Sequence, residues 1–259
     1  MKINNAIVRG VSILTFLAEN EKPATLSEIA RELRIPKSSA LDLLHTLVQK
    51  NFVEIANADF KTYQLGIGMF LLGAHALNRN SLQTLSESFL DALCKKTGKT
   101  VYLAIPKGKR VVYVTKKVGV SPLQTASSVG STNPMHLTAL GKSILAGKSD
   151  EDILSLYGEG PYESRTLASI DTYEKLIEKL AEVKNLGYAF ENAESMELIS
   201  CFAAPIYDYN NEIIGAISLV SLINELGDEE KKNYPLLVKQ TALEISKKLG
   251  YKKIKFYDF

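Results

Sequence analysis

Residues 25–55 read TLSEIARELRIPKSSALDLLHTLVQKNFVEI, and the pattern inside this stretch decides the N-terminal fold. Thr25 stands three residues before Glu28, the spacing of a capping box. Leu26, Ile29, Ala30 and Leu33 then recur at helical intervals as one apolar face. A further helix opens at Pro36, where the missing N–H costs nothing, with Leu41, Leu44, Leu47 and Val48 as its buried seam. After Asn51, residues Phe52–Ile55 read as a strand, Asn57–Asp59 supply turn chemistry, and Tyr63 and Leu65 mark a return strand. Upstream, Ala6–Ala18 form an amphipathic helix with Ile7, Val8, Val11, Ile13, Leu14 and Leu17 on its apolar side, ended by Glu19–Pro23. Three helices followed by a hairpin make a winged helix-turn-helix. Its last helix is narrow enough to enter a major groove. The same arrangement also serves as a protein-interaction module.

Working outward, 259 residues suffice for two domains, and 46% hydrophobic against 23% charged residues is the balance of an ordinary globular protein. The formal charge is only +2. Up to Asn80 there are nine Lys/Arg against seven Asp/Glu, leaving 22 against 22 beyond it, so the positive excess lies in the N-terminal part. Cys94 and Cys201 form no CxxC or metal pattern. No apolar run is long enough to span a bilayer, and MKINNAIVRG lacks the apolar core of a secretion signal. A cytoplasmic protein with no membrane partner is expected.

Past a strongly apolar stretch from Gly66 to Leu77, a helix is predicted over Ser81–Lys96. A hairpin of Val101–Ile105 and Val111–Thr115 follows around Pro106–Lys109. Helices are predicted at Ala139–Ala146, Asp150–Leu156 and Thr172–Leu186, strands at Cys201–Tyr207 and Ile213–Ser221, and a last helix from about Asn233 to Leu249. An antiparallel sheet with helices on its faces is the natural assembly. Gly141–Lys142–Ser143 is no phosphate loop, because His136 stands where its leading glycine belongs, and Gly66-x-Gly68 has bulky followers. There is no G-x-S-x-G, no H-E-x-x-H and no dinucleotide fingerprint, so no enzyme and no cofactor are expected. His136 reads as a ligand contact, a metal ligand or a loop residue held by carbonyls; without a second His nearby no metal site is assigned. Cys201 reads as a buried small side chain rather than a nucleophile.

LSEIARELRIPKSSALDLLHTLVQKNFVE with YQLGIGMFLLG resembles the DNA-binding module of IclR-type transcription regulators, and MHLTALGKSILA and ENAESMELISCFAAPIYDYNNEIIGAISLVS resemble two markers of the family's effector domain. The resemblance covers nearly the whole chain. It implies an α+β protein with a winged helix-turn-helix at 1–65, a linker helix at 66–79 that helps join protomers, and a GAF-like effector-binding and oligomerisation domain at 80–259. The implied protein is a regulator, read as a repressor, whose partners are double-stranded operator DNA, a small organic, sugar or aromatic acid, and copies of itself as a homodimer or dimer of dimers. DNA contacts are expected at Lys37, Ser38, Ser39 and Leu41, with Lys61 and Tyr63 on the wing. Effector contacts are implied at Met135, His136, Leu137 and Ala139 on one side and Glu194, Cys201 and Ser218 on the other. The chain departs from the family pattern at Arg34, where glycine is usual, at Asp42, where arginine is frequent, and at Ala193, one of two positions usually acidic.

Overall fold

The computed structural model describes residues 3–20, 22–57, 59–72, 82–120 and 127–252. It divides into two compact units, Met1–Ser81 and Leu82–Phe259.

The first unit is a winged helix. Helix α1 (Asn5–Glu19) is capped by Asn4, whose side chain accepts from the amides of Ala6 and Ile7. Its predicted apolar stripe divides in two. Ile13 and Leu17 are buried, but Ile7, Val8 and Val11 are exposed, Ile7 to 65%. No described element of the unit covers them. After strand β1 (Ala24–Thr25), helix α2 (Leu26–Glu32) begins with the complete capping box: Thr25 Oγ accepts from the Glu28 amide and the Glu28 carboxylate accepts from the Thr25 amide at 2.7 Å. That pairing holds the Glu28 carboxyl below its usual range. Helix α3 (Lys37–Gln49) buries Ala40 and Leu44. Leu41, expected in the seam, is half-buried, because the core is reached one position earlier.

Strands β2 (Val53–Asn57) and β3 (Thr62–Leu65) form the wing, and β1 joins them in the order β1-β3-β2. Asn57 Oδ1 accepts from the amides of Asp59 and Phe60 and so builds the turn. Tyr63, expected to face DNA, is a core residue at 4% exposure, packed with Ile13, Leu17, Ala24, Ile29, Leu44 and Val53. Residues 67–72 are helical; the remainder of the expected linker helix lies outside the described residues. Gly66 and Gly68 are explained by close approach. A Cβ at Gly68 would lie 2.6 Å from the Asn51 carbonyl oxygen, to which the Gly68 amide donates.

The second unit starts with α4 (Leu82–Thr97). A six-stranded antiparallel sheet follows in the order β6-β5-β4-β9-β8-β7. Its strands are β4 (Thr100–Lys107), β5 (Arg110–Lys117), β6 (Thr132–Pro134), β7 (Ala189–Asn192), β8 (Ile199–Tyr207) and β9 (Ile213–Leu222). The short strands β6 and β7, which extend its two edges, had no sequence signal. Between β6 and β7 run α5 (Ala139–Leu145), α6 (Asp150–Tyr157) and α7 (Tyr173–Leu186). The closing helix, α8 (Asp228–Lys248), begins about five residues earlier than expected. Asp228, Glu229 and Glu230 at its N-terminus suit the helix dipole, and Pro235 is accommodated inside it. Because side chains alternate across the sheet, two cores form. One contains Tyr102, Ala203, Ala216 and Val220 with the α5–α7 side, and the other Leu103, Phe202, Ile217 and Leu219 with α4 and α8.

Candidate functional site: a cavity over the sheet and an exposed recognition helix

The strand register assembles the floor of a cavity. On β9, Ser218 and Val220 are two apart and share a face; Ser218 pairs with Tyr102 of β4, and Val220 with Cys201 of β8, which in turn pairs with Glu191 of β7. The cavity above them has a volume of about 280 Å³. Thr138, Ala139 and Leu140 at the start of α5 close one wall, Ser195 and Met196 another, and Asn133 with Arg165 a third. This mix of apolar surface and few convergent polar groups is what a small-molecule site requires.

Its polar groups are held in place before any ligand arrives. Tyr102 donates to the Ser127 carbonyl at 3.0 Å, and Asn133 Nδ2 donates to the Tyr113 hydroxyl at 3.1 Å. Burial pushes the Tyr113 phenol up, so it stays protonated. Arg165 Nη1 donates to Asn133 Oδ1, while its Nε and Nη2 meet Glu163 Oε1. Glu191, 1% exposed, accepts the amides of Glu194 and Ser195 and the Ser195 hydroxyl on one oxygen. Thr166 and Ser169 donate to the carbonyls of Ala193 and Glu194. The loop following β7 is therefore clamped to the segment that carries Arg165.

Of the residues implied by resemblance, Ala139, Cys201 and Ser218 line this cavity. Met135, His136, Leu137 and Glu194 do not. Met135 joins the hydrophobic core, because the short 3-10 turn Met135–Leu137 directs all three side chains into the interior, each at 3% exposure or less. His136 stands edge-on to the ring of Tyr157 and against that of Tyr162, and its Nε2 meets the Glu163 carbonyl at 2.8 Å. A carbonyl can only accept, so Nε2 carries the proton, and burial holds the imidazole below its usual pKa. Among the alternatives for this histidine, the loop-holding role fits these contacts.

Glu194 is withdrawn from the cavity by Lys142. The Lys142 side chain is fully buried in α5 and its ammonium pairs directly with the Glu194 carboxylate. Burial lowers the lysine and raises the carboxyl, each shift opposed by the attraction between them. Arg165, Glu191, Tyr102 and Asn133 are among the cavity residues that sequence reasoning missed. Glu191 begins the acidic stretch that carries the resemblance, but only the pairing of β7 with β8 sets it beside Cys201. Arg165 lies between helices with no periodicity to flag it. Cys201 has its thiol pushed well up by burial, with the nearby Glu191 adding to this, which suits a protonated lining group and not a nucleophile.

In the winged helix, Lys37 and Ser38 are exposed at the N-terminal end of α3, and Ser39 and Leu41 are half-buried beside them. Lys61 is exposed at the wing turn with a left-handed φ of 46°. Neither Lys37 nor Lys61 has a side-chain hydrogen bond or ion pair among the described residues.

Comparison with known proteins agrees in both units. Residues 6–55 match the IclR helix-turn-helix domain and residues 74–247 match the bacterial transcriptional regulator IclR C-terminal domain. The chain is 27% identical over 251 residues to the HTH-type transcriptional regulator XynR of Escherichia coli K12, covering 97% of this chain and 99% of that protein. It is 26% identical to the HTH-type transcriptional repressor AllR of the same organism, covering 95% and 91%. The crystal structure of the Agobacterium tumefaciens repressor BlcR superposes with a TM-score of 0.78 at 26% identity, covering 96% of this chain and 98% of that one. These relatives are transcription regulators rather than enzymes. The chain belongs to the IclR family of helix-turn-helix transcription regulators, with an N-terminal DNA-binding domain and a C-terminal effector-binding domain.

Proposed function

We propose that this regulator is a repressor whose hold on its operator is set by a small organic acid in the cavity over the sheet. The observation that carries the reading is the cavity of about 280 Å³, lined by apolar side chains together with Arg165, Asn133, Glu191, Cys201 and Ser218, in the unit that matches the family's effector domain. Arg165, whose Nη1 and Nη2 each keep a second N–H, offers donors to a carboxylate. Glu191, Cys201 and Ser218 on the sheet floor suit a hydroxyl. Repression follows the names of the relatives AllR and BlcR. The effector can act only by binding one state of the protein better than another, with a typical coupling of about 1–3 kcal/mol.

On the DNA side, Lys37, Ser38 and Ser39 would meet the groove, with Leu41 beside them and Lys61 on a flanking phosphate. Tyr63 would support the wing from the core. The exposed Ile7, Val8 and Val11 of α1 suit pairing of two copies, which would address two half-sites of a partly palindromic operator. Such a protein works where the chromosome is, in the cytoplasm. No described helix is long and apolar enough to cross a membrane.

The test is a fluorescence-anisotropy titration against the DNA upstream of its own gene, with scrambled DNA as control and salt varied, repeated with candidate acids. Preferential binding that falls steeply with salt and changes with one acid supports the reading. An acid that binds the protein and leaves operator affinity unchanged would refute the coupling.

A further inference from the structure

Arg34 is not accounted for by packing. It follows α2 in a complete Schellman turn: its amide donates to the Arg31 carbonyl and the next amide, of Ile35, reaches back to the Ala30 carbonyl. The turn requires a left-handed residue, and Arg34 has φ 53°. Glycine adopts that conformation freely, whereas any other L-residue meets a clash between Cβ and the carbonyl oxygen. Nor does the side chain repay the fold. Arg34 is exposed, and its guanidinium has no hydrogen bond or ion pair among the described residues, whereas the neighbouring Arg31 pairs with Glu32. A costly residue that holds nothing inside the protein is available to hold something outside it.

Its place indicates what. Arg34 lies three residues before Lys37, in the turn that delivers the N-terminal end of α3. In a helix-turn-helix that end enters the groove between two lines of phosphates. Helix α3 itself carries one lysine and one aspartate, Lys37 and Asp42, so its own residues bring no net positive charge to a polyanion. Resting on the reading that α3 addresses DNA, we propose that Arg34 is a phosphate-binding residue of the operator interface, supplying from the turn the positive charge that α3 lacks. A guanidinium suits this role because its fork can grip two phosphate oxygens.

The test compares wild type with Arg34→Gln, Arg34→Lys and Arg34→Gly by anisotropy against upstream and scrambled duplexes over a salt series, alongside thermal melts. Wild-type binding comes first; if the folded wild type holds neither duplex, the DNA-binding reading falls and this assignment with it. Arg34→Gln should weaken both duplexes alike, by about eightfold at 0.1 M salt, and reduce the salt slope by about one, the signature of one lost phosphate contact. Arg34→Lys should keep the slope. Arg34→Gly should lose the same affinity while its melting temperature rises, since glycine relieves the left-handed backbone. A role only in folding cannot move affinity and stability in opposite directions. Wild-type affinity and slope in Arg34→Gln would overturn the proposal. A loss confined to the upstream duplex would overturn it too, in favour of a base contact.

Discussion

The two units differ at the positive charges on which each depends. In the effector unit Lys99, Lys117, Lys142, Arg165, Lys175 and Lys179 all pair with carboxylates, and Lys142 does so at zero exposure. In the winged helix Arg31 pairs with Glu32 at the surface, while Arg34, Lys37 and Lys61 extend without a protein partner among the described residues. The contrast follows from what each unit has to bind. Under the proposed function, cations that meet phosphate gain from being free, because an internal carboxylate would have to be displaced first. Lys142 is neutralised, because an unpaired charge in a poorly solvated interior is costly.

The largest effect is expected from Lys142→Met. It leaves Glu194 buried without its partner, and we expect the effector unit to lose about 3–5 kcal/mol in chemical denaturation. Replacing Glu194 by a similar-sized apolar residue as well should recover much of the loss; a single variant as stable as wild type would show that the pair is not the buried anchor described. Next in size, Lys37→Ala combined with Ser38→Ala should reduce operator affinity by about ten- to a hundredfold, the cost of one or two lost contacts at about 1–3 kcal/mol. Its thermal melt and affinity for an effector should stay at wild-type values, and unchanged DNA affinity would remove α3 from the interface.

Arg165→Gln probes the cavity. It should weaken a carboxylate effector by about tenfold, the worth of one hydrogen bond to a charged group, measured by calorimetry. Operator affinity without effector should not change. Equal loss for an acid and its amide would refute a charge-based role. The smallest effect concerns pH. The His136 pKa is held below its ordinary 6.5 by burial, so the folded state binds fewer protons than the unfolded chain. Its contribution is complete above pH 6.5 and is lost as pH falls through the lower folded value. Effector-unit stability should therefore decline on acidification below pH 6.5, and less so in His136→Gln. Identical pH profiles would rule out His136 as the source.

Legibility in the sequence tracked locality. The Thr25–Glu28 capping box, the α2 face and the β8–β9 hairpin were all readable, because each depends on residues a few positions apart. Strand β7 has only four residues and gave no periodicity to read. Tyr63 has the alternation of a wing residue, but only the arrival of α1 and α3 decides that its ring lies inside. The reverse holds for Ile7, Val8 and Val11, whose helical spacing is that of a core stripe although their turns run beyond it. Of the cavity, Ala139, Cys201 and Ser218 were accessible by resemblance, while Arg165 and Glu191 depended on which strands and loops meet.

By itself, then, the sequence determined the two-unit plan, the order and type of most elements, and the family. Hydrogen-bond caps, turn residues and apolar periods act over one to four positions and are written in the chain. The tertiary structure decided which polar groups face the cavity and which are neutralised behind it. Glu194 is withheld from the cavity by a lysine 52 positions earlier in the chain, and the burial that forces two opposite charges together exists only once the helix, the sheet and the loop have closed over them.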